Sequence, residues 1–149
     1  MRAVVQRVKK ASVAVNSEEV SVIGRGFLVL LGVAKGDGAI DVDYMIRKIS
    51  SLRIFGNEQG KMNRSLAEVE GEVLLVPQFT LFGDARKGAR PSFFGAADAA
   101  TGKSLYLEVM EGLQQQGIPV YGGRFQEMME VKLINDGPVT IMLDSRKQF

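Results

Sequence analysis

The sequence predicts one mixed α/β domain, mostly sheet, with two helices. Short Val-, Ile- and Leu-rich runs recur between Gly-, Asn- and Asp-containing turns, which is the signature of strands. Only residues 40–52 and roughly 98–116 repeat their apolar side chains at steps of three and four, so helices are expected there alone. The chain of 149 residues has no repeat, linker or low-complexity stretch, and residues 1–149 read as a single domain.

Residues 2–8 (RAVVQRV) and 11–15 (ASVAV) read as two strands, with Lys9 and Lys10 as a bend or exposed edge between them. Asn16 to Glu19 forms a turn into a third strand over residues 20–23. Residues 27–33 do not alternate, so they read as a strand buried on both faces, stopped by Lys35-Gly36-Asp37-Gly38. In the first helix Val42, Met45, Ile46, Ile49 and Leu52 share one face, while Asp41, Asp43, Arg47 and Lys48 fall mostly on the other. Residues 53–55 return as a strand before the Gly56 to Gly60 turn. Residues 72–82 (EVLLVPQFTLF) read as a long strand in which Pro77, lacking an N–H, marks an edge, bulge or end.

A basic loop follows at residues 83–91 and leads to the second helix, with Leu105, Tyr106, Val109, Met110 and Leu113 as its apolar set. Gly117-Ile118-Pro119 ends it. Residues 128–134 and 139–143 then read as a hairpin around Asn135-Asp136-Gly137-Pro138.

The composition narrows the chemistry. Hydrophobic residues at 46% and charged ones at 24% are the balance of a soluble globular protein rather than a disordered tail. The longest apolar run, residues 27–34, is far shorter than the ~20 residues of a bilayer span. No signal-peptide core is visible at the start, so a cytoplasmic location is expected. Neither Cys nor His occurs. Disulfides, thiolate nucleophiles, Cys-based zinc sites and Ser-His-Asp or Cys-His catalysis are thereby excluded. Carboxylates, Lys, hydroxyls, backbone groups and the substrate itself remain. The net charge of +2 says little, but Arg2, Arg7, Lys9 and Lys10 cluster early, and Arg86, Lys87 and Arg90 share one loop that suits phosphates.

Six segments invite a functional reading. Residues 97–104 (ADAATGKS) resemble a relaxed phosphate loop, yet no buried strand precedes them and Gly102-Lys103-Ser104 falls inside the second helix. Asp41/Asp43 suits the start of a helix, where negative charge is favoured. Glu68/Glu70/Glu72 alternates as solvated positions do, and Glu127/Glu130 is a further loose pair; none forms a convincing acid–base or metal site. Residues 76–81 (VPQFTL) and 135–140 (NDGPVT) are different. The first places polar side chains where the chain should still be buried, and the second is a tight turn in which Gly137-Pro138 has the option of a cis peptide. An edge strand and a hairpin turn are their plain reading.

Together these two segments closely resemble the signature motifs of the D-aminoacyl-tRNA deacylase family, usually written SQFTL and NxGP(V/F)T. The resemblance extends across nearly the whole chain, including residues 1–15, 52–55, 87–93 and 123–129. It implies a sheet-rich domain, its layers partly closed like a barrel, with two main helices packed on one side. It also implies a homodimer with active sites at the subunit interface, an aminoacyl-tRNA substrate bound by its 3′ end, no cofactor, no metal and no membrane association. By resemblance, Gln78, Phe79 and Thr80 sit at the scissile ester. Gly137 and Pro138 project into the partner's pocket and exclude an L side chain, and Arg7 supports their loop. Phe125 and Met129 line the pocket for the terminal adenosine, and Gly102 is the matching small residue of the second helix.

The implied activity is hydrolysis of D-aminoacyl-tRNA, and of glycyl-tRNA mischarged on tRNA-Ala, by steric exclusion of L-amino acids. One departure is Pro77 in the place of the usual serine, which removes a hydroxyl and an N–H. A related animal group with relaxed selectivity toward L-alanyl-tRNA is also Pro-first, but it differs at the next aromatic position. Phe79 and NDGPVT keep this sequence with the D-selective group. The alternatives are relaxed chirality because of Pro77, a non-catalytic nucleic-acid-binding protein using Arg86 to Arg90, and a nucleotide-dependent enzyme using Gly102-Lys103-Ser104.

Overall fold

The long strand β1 (Arg2–Val15) organises the sheet, because every part of it is paired on both edges or close to a paired neighbour. Its first half is antiparallel to β3 (Gly26–Gly32) and its second half to β2 (Glu18–Ile23). β8 (Glu130–Asp144) follows its other edge almost end to end. All residues, 1–149, are described in this computed structural model.

Beyond β3 the order continues through β6 (Glu72–Pro77) to β7 (Val120–Gly122), both paired in parallel. The Ser21 hydroxyl of β2 then donates to the Gly122 carbonyl at 2.6 Å, so the two ends of the order meet and the sheet is nearly closed like a barrel. A small ribbon, β4 (Phe55–Gly56) with β5 (Met62–Arg64), lies apart. The helices α1 (Ala39–Ser51) and α2 (Ala99–Gln115) pack against each other and contribute to the larger core. This is the mixed, mostly β architecture with two helices that the sequence predicts.

Alternation of side chains explains why the central strands are apolar throughout. Phe27, Val29, Leu31, Val73 and Leu75 belong to the larger core with Val42, Met45, Ile49, Val109 and Leu113 of the helices. Leu28, Leu74 and Val76 point the other way, into a smaller core with Val8, Ala11, Val13 and Ile23. Burial on both faces of β3 is therefore as expected from its unbroken run.

Three expectations need correction. The two predicted strands at 2–8 and 11–15 are one strand, since β8 pairs on both sides of the exposed Lys9 and Lys10; a register shift there absorbs the bend. The predicted hairpin around Asn135 to Pro138 does not exist. Asn135 pairs with Val8 and Thr140 with Gln6, so both halves of β8 run the same way along β1 and residues 136–139 bulge out between them. Asn and Gly-Pro signals mark a break in pairing but do not say whether the chain reverses. The third correction concerns residues 78–82, where the strand stops at Pro77 and a 3₁₀ turn, Phe79–Phe82, follows.

Asp37, fully buried, ties the end of β3 to both chain termini. Its carboxylate accepts the Ala34 N–H at 2.6 Å and pairs with the Met1 ammonium at 2.7 Å and Arg146 at 2.9 Å. The segment so held pairs with the loop before α2: Ala34 bridges Ala96, Lys35 N–H donates to Gly95 at 3.0 Å, and Ala97 N–H donates to Val33 at 2.9 Å. Asp98 caps α2, accepting the Thr101 N–H at 2.9 Å and hydroxyl at 2.8 Å. No helix is long and apolar enough to cross a membrane.

Candidate active site

The site begins where β6 runs out of partners. Pro77 lies opposite Leu31 in the parallel ladder, and its ring nitrogen has no proton to extend the pairing. Gln78 makes one last ladder-like bond, its N–H donating to Leu31 at 2.8 Å. The chain then tightens, with Leu81 N–H donating to Gln78 at 3.2 Å and Gly83 N–H to Thr80 at 2.9 Å. The Gln78 side-chain amide donates to the Thr80 hydroxyl oxygen. Phe79 and Thr80 open this 3₁₀ turn, so their own N–H groups have no acceptor within it.

That turn forms one wall of a cleft of about 580 Å³. Ala97, Asp98, Ala99 and Gly102 at the start of α2, with Phe125, Met128 and Met129, form the facing side. Gly102 lets the Phe125 ring approach closely: a Cβ there would stand 3.3 Å from it, so the ring would have to shift by a few tenths of an ångström. Phe93 meets Phe79 edge-on, with centroids 5.1 Å apart and planes at 72°, which steadies the half-exposed Phe79 ring at the rim. The cleft is mostly apolar with a few polar groups, the usual make-up of a small-ligand site.

Tyr106 lies beneath the cleft, buried, its hydroxyl donating to the Leu75 carbonyl at 2.7 Å. Sequence reading placed Tyr106 in the core set only; its phenol on an otherwise apolar face was the available signal. Burial pushes its pKa up to about 12, opposed by a backbone hydrogen bond from Gly123. Because the unfolded phenol titrates near ~10, the contribution to stability is complete below that pH. It is lost as pH rises toward the folded value, by at most about 2–3 kcal/mol. Denaturant titrations from pH 8 to 11.5 should show this alkaline loss in the native chain and a shallower one in Tyr106→Phe. Identical slopes would contradict it.

Of the carboxylates, Asp98 and Glu127 line the cleft; in the sequence Asp98 carries no signal beyond marking the start of the second helix. Both have structural partners: Asp98 holds Thr101, and Glu127 lies 3.8 Å from Arg124. Hydrogen bonds from Thr101 keep the Asp98 carboxyl below its ordinary range. No three Asp or Glu side chains converge as a metal site demands. Gly102-Lys103-Ser104 lies within α2 rather than at a phosphate-wrapping turn, which removes the nucleotide-loop reading.

The remaining predicted residues lie outside this cleft. Gly137 and Pro138, joined by a cis peptide, are exposed on the bulge of β8 and do not line the pocket of their own chain. Arg7 holds the bulge from below: its Nε donates to the Asp136 carbonyl at 2.8 Å and its Nη1 to the Ile54 carbonyl at 2.5 Å. The Asp136 carboxylate is 3.5 Å from the same guanidinium. Asn135 closes the loop, accepting the Val139 N–H at 2.7 Å and donating to the Val139 carbonyl at 3.1 Å. The predicted site residues thus form two groups: Gln78, Phe79, Thr80, Gly102, Phe125 and Met129 in the cleft, and Arg7, Gly137 and Pro138 at the exposed edge.

Fold and cleft together define a class of protein whose pocket offers main-chain N–H groups, an amide and a hydroxyl, with no imidazole or thiol anywhere in the chain. The chain belongs to the D-Tyr-tRNA(Tyr) deacylase family, whose model matches residues 4–144. It is similar to the D-aminoacyl-tRNA deacylase of Syntrophobacter fumaroxidans, 58% identical over 149 residues that cover 100% of each chain. The D-aminoacyl-tRNA deacylase of Syntrophotalea carbinolica is 54% identical with the same complete coverage. Among solved structures, the c-Myc DNA Unwinding Element Binding Protein superposes with a TM-score of 0.91 at 41% identity, covering 97% of this chain and 98% of that one. A probable eukaryotic D-amino acid tRNA deacylase gives 0.76 at 21% identity, covering 95% and 97%, a likeness of fold alone.

Proposed function

We propose that this protein hydrolyses the ester joining a D-amino acid to the terminal adenosine of tRNA, and that glycyl-tRNA mischarged on tRNA-Ala is a second substrate. The observation that carries this reading is the cleft in which Gln78-Phe79-Thr80 faces Gly102, Phe125 and Met129. The adenine ring packs against Phe125 and Met129, and the ester carbonyl points at the Phe79 and Thr80 N–H groups. Water adds to the carbonyl carbon, the developing oxyanion is held by those two donors, and the ribose oxygen leaves with a proton. One well-aimed donor of this kind is worth roughly 10²–10³ in rate. The substrate's 2′-hydroxyl orients the water or relays the proton, which suits a chain without His.

The rival chemistry makes the Thr80 oxygen a nucleophile. Its hydrogen-bond partner is the Gln78 amide, which is no base, and this favours the main-chain reading. Thr80→Val should therefore retain single-turnover hydrolysis within about tenfold of the native rate. Total loss with folding and tRNA binding intact would sink the main-chain mechanism, as would a 2′-deoxy substrate turned over at full rate.

Chirality belongs to the second group of residues. The protein acts in the cytoplasm as a homodimer in which Gly137 and Pro138 of one copy close the cleft of the other. Support comes from the exposed β8 edge, where Leu133, Ile134 and Met142 leave apolar surface uncovered beside the bulge. A rigid main chain leaves room for hydrogen but not for an L side chain. Purified protein should hydrolyse D-tyrosyl- and glycyl-tRNA and spare L-tyrosyl-tRNA. Equal rates on the two enantiomers would remove the selectivity claim, and turnover of L-alanyl-tRNA alone would trace a relaxed site to Pro77.

The name of the 41%-identical structure, a DNA-unwinding-element binder, favours one second reading: nucleic-acid binding without catalysis. It predicts salt-sensitive binding through Arg86 to Arg90 and no ester cleavage in the same assay.

A further inference from the structure

Outside the cleft, an exposed aromatic ring is held in place with a cation on one face. Phe94 is 81% exposed, and the Lys35 ammonium lies 3.5 Å from its ring centroid. The pair is built on paired backbone rather than on a loose loop: Lys35 N–H donates to the Gly95 carbonyl, Ala96 N–H to Phe93, and Ala34 bridges Ala96. The neighbouring Phe93 touches Phe79 at the cleft rim, so platform and pocket are contiguous. Phe94 also borders a second, polar hollow of about 710 Å³ that includes Arg2, Arg86 and Arg146.

Charge decides what suits this surface. Arg2, Arg86 and Arg146 are each paired with a carboxylate, Asp144, Asp84 and Asp37 respectively. Lys35 forms no ion pair and leaves an unneutralised positive charge at the Phe94 ring. An exposed ring beside unneutralised cations is the arrangement that binds single-stranded nucleic acid, bases stacking on the ring and phosphates meeting the cations.

We propose that Phe94 and Lys35 form a stacking platform for the unpaired nucleotides that precede the aminoacylated adenosine, anchoring the RNA end outside the cleft. This rests on the proposed function for the identity of the strand. It assigns binding of the polymer to residues separate from those that bind the reacting nucleotide.

The test compares D-tyrosyl-tRNA with D-tyrosyl-adenosine, which lacks the preceding nucleotides. Phe94→Ala should raise KM for the tRNA roughly 5–150-fold, the range of one lost base–aromatic stack. The kcat for the tRNA and both constants for the short substrate should stay near native. Lys35→Ala should lower the log–log salt slope of tRNA binding by about 0.7. An unchanged KM on tRNA, or an equal loss on both substrates, overturns the platform. If the native protein hydrolyses neither substrate, the deacylase reading fails by itself. The platform is then judged on binding of a single-stranded RNA ending in CCA, which Phe94→Ala must weaken for the proposal to stand.

Discussion

Arg7→Ala is expected to lower single-turnover hydrolysis of D-tyrosyl-tRNA by about 10²-fold, the loss that follows a roughly 1 Å misplacement of a positioning group. Arg7 touches no part of its own cleft, yet its guanidinium holds the Asp136 carbonyl beside Gly137 and reaches across to Ile54. Without it, two carbonyls lose their donor and the Asp136 carboxylate loses its partner. The stability cost is about 1–3 kcal/mol, too little to unfold an otherwise sound domain. Arg7→Lys should recover only part of the rate, because one ammonium cannot reproduce a fork that spans two carbonyls.

The same variant tests whether sites are shared between copies. Gly102→Leu should block the cleft while leaving the bulge intact, since its side chain must displace Phe125. If each bulge serves the partner's cleft, a refolded mixture of the two inactive variants contains one sound site per mixed dimer. It then regains about a quarter of native activity. A mixture that stays inactive, with mixed dimers demonstrated by mass, would place the whole site in one chain.

Gly26→Ala is expected to cost more than about 4 kcal/mol and to leave little soluble folded protein. A Cβ at Gly26 would stand 1.8 Å from the Glu72 carbonyl oxygen and 2.7 Å from its carbon and nitrogen. Those are main-chain atoms of β6, so no side-chain rotation relieves the overlap and β3 and β6 would have to part. These strands deliver Leu31 and Pro77 to the cleft. Gly24→Ala, two residues earlier, is the control, because its Cβ would meet only a Glu72 carboxylate oxygen, at an ordinary contact distance of 3.8 Å. Circular dichroism and thermal unfolding should separate the pair clearly. Similar melting temperatures would show that the strand approach is looser than described.

Local signals explain which parts of this architecture were legible in advance. Both helices and the doubly buried β3 follow from periodicity, which needs no knowledge of the partner. The cleft residues of the Gln78 segment, Gly102, Phe125 and Met129 were reached through motif resemblance, and the fold gathers them into one pocket. Tyr106 and Asp98 carry little site signal in the sequence, because Tyr106 fits the apolar set of the second helix and Asp98 simply marks where that helix begins. The turn after Pro77 was read as strand because Phe79, Leu81 and Phe82 keep the apolar character of what precedes them.

Residue order and type alone determined the sheet-rich class, the positions of the helices and a chemistry confined to hydroxyls, amides, carboxylates and backbone, since side-chain spacing and inventory are properties of the chain itself. Only the tertiary structure decided that Asn135 to Thr140 bulges along β1 instead of reversing, and that Met1, Asp37 and Arg146 meet. Which backbone group bonds to which distant one depends on the partner that folding brings alongside. A turn signal records that pairing breaks, whereas the neighbouring strand decides how it resumes.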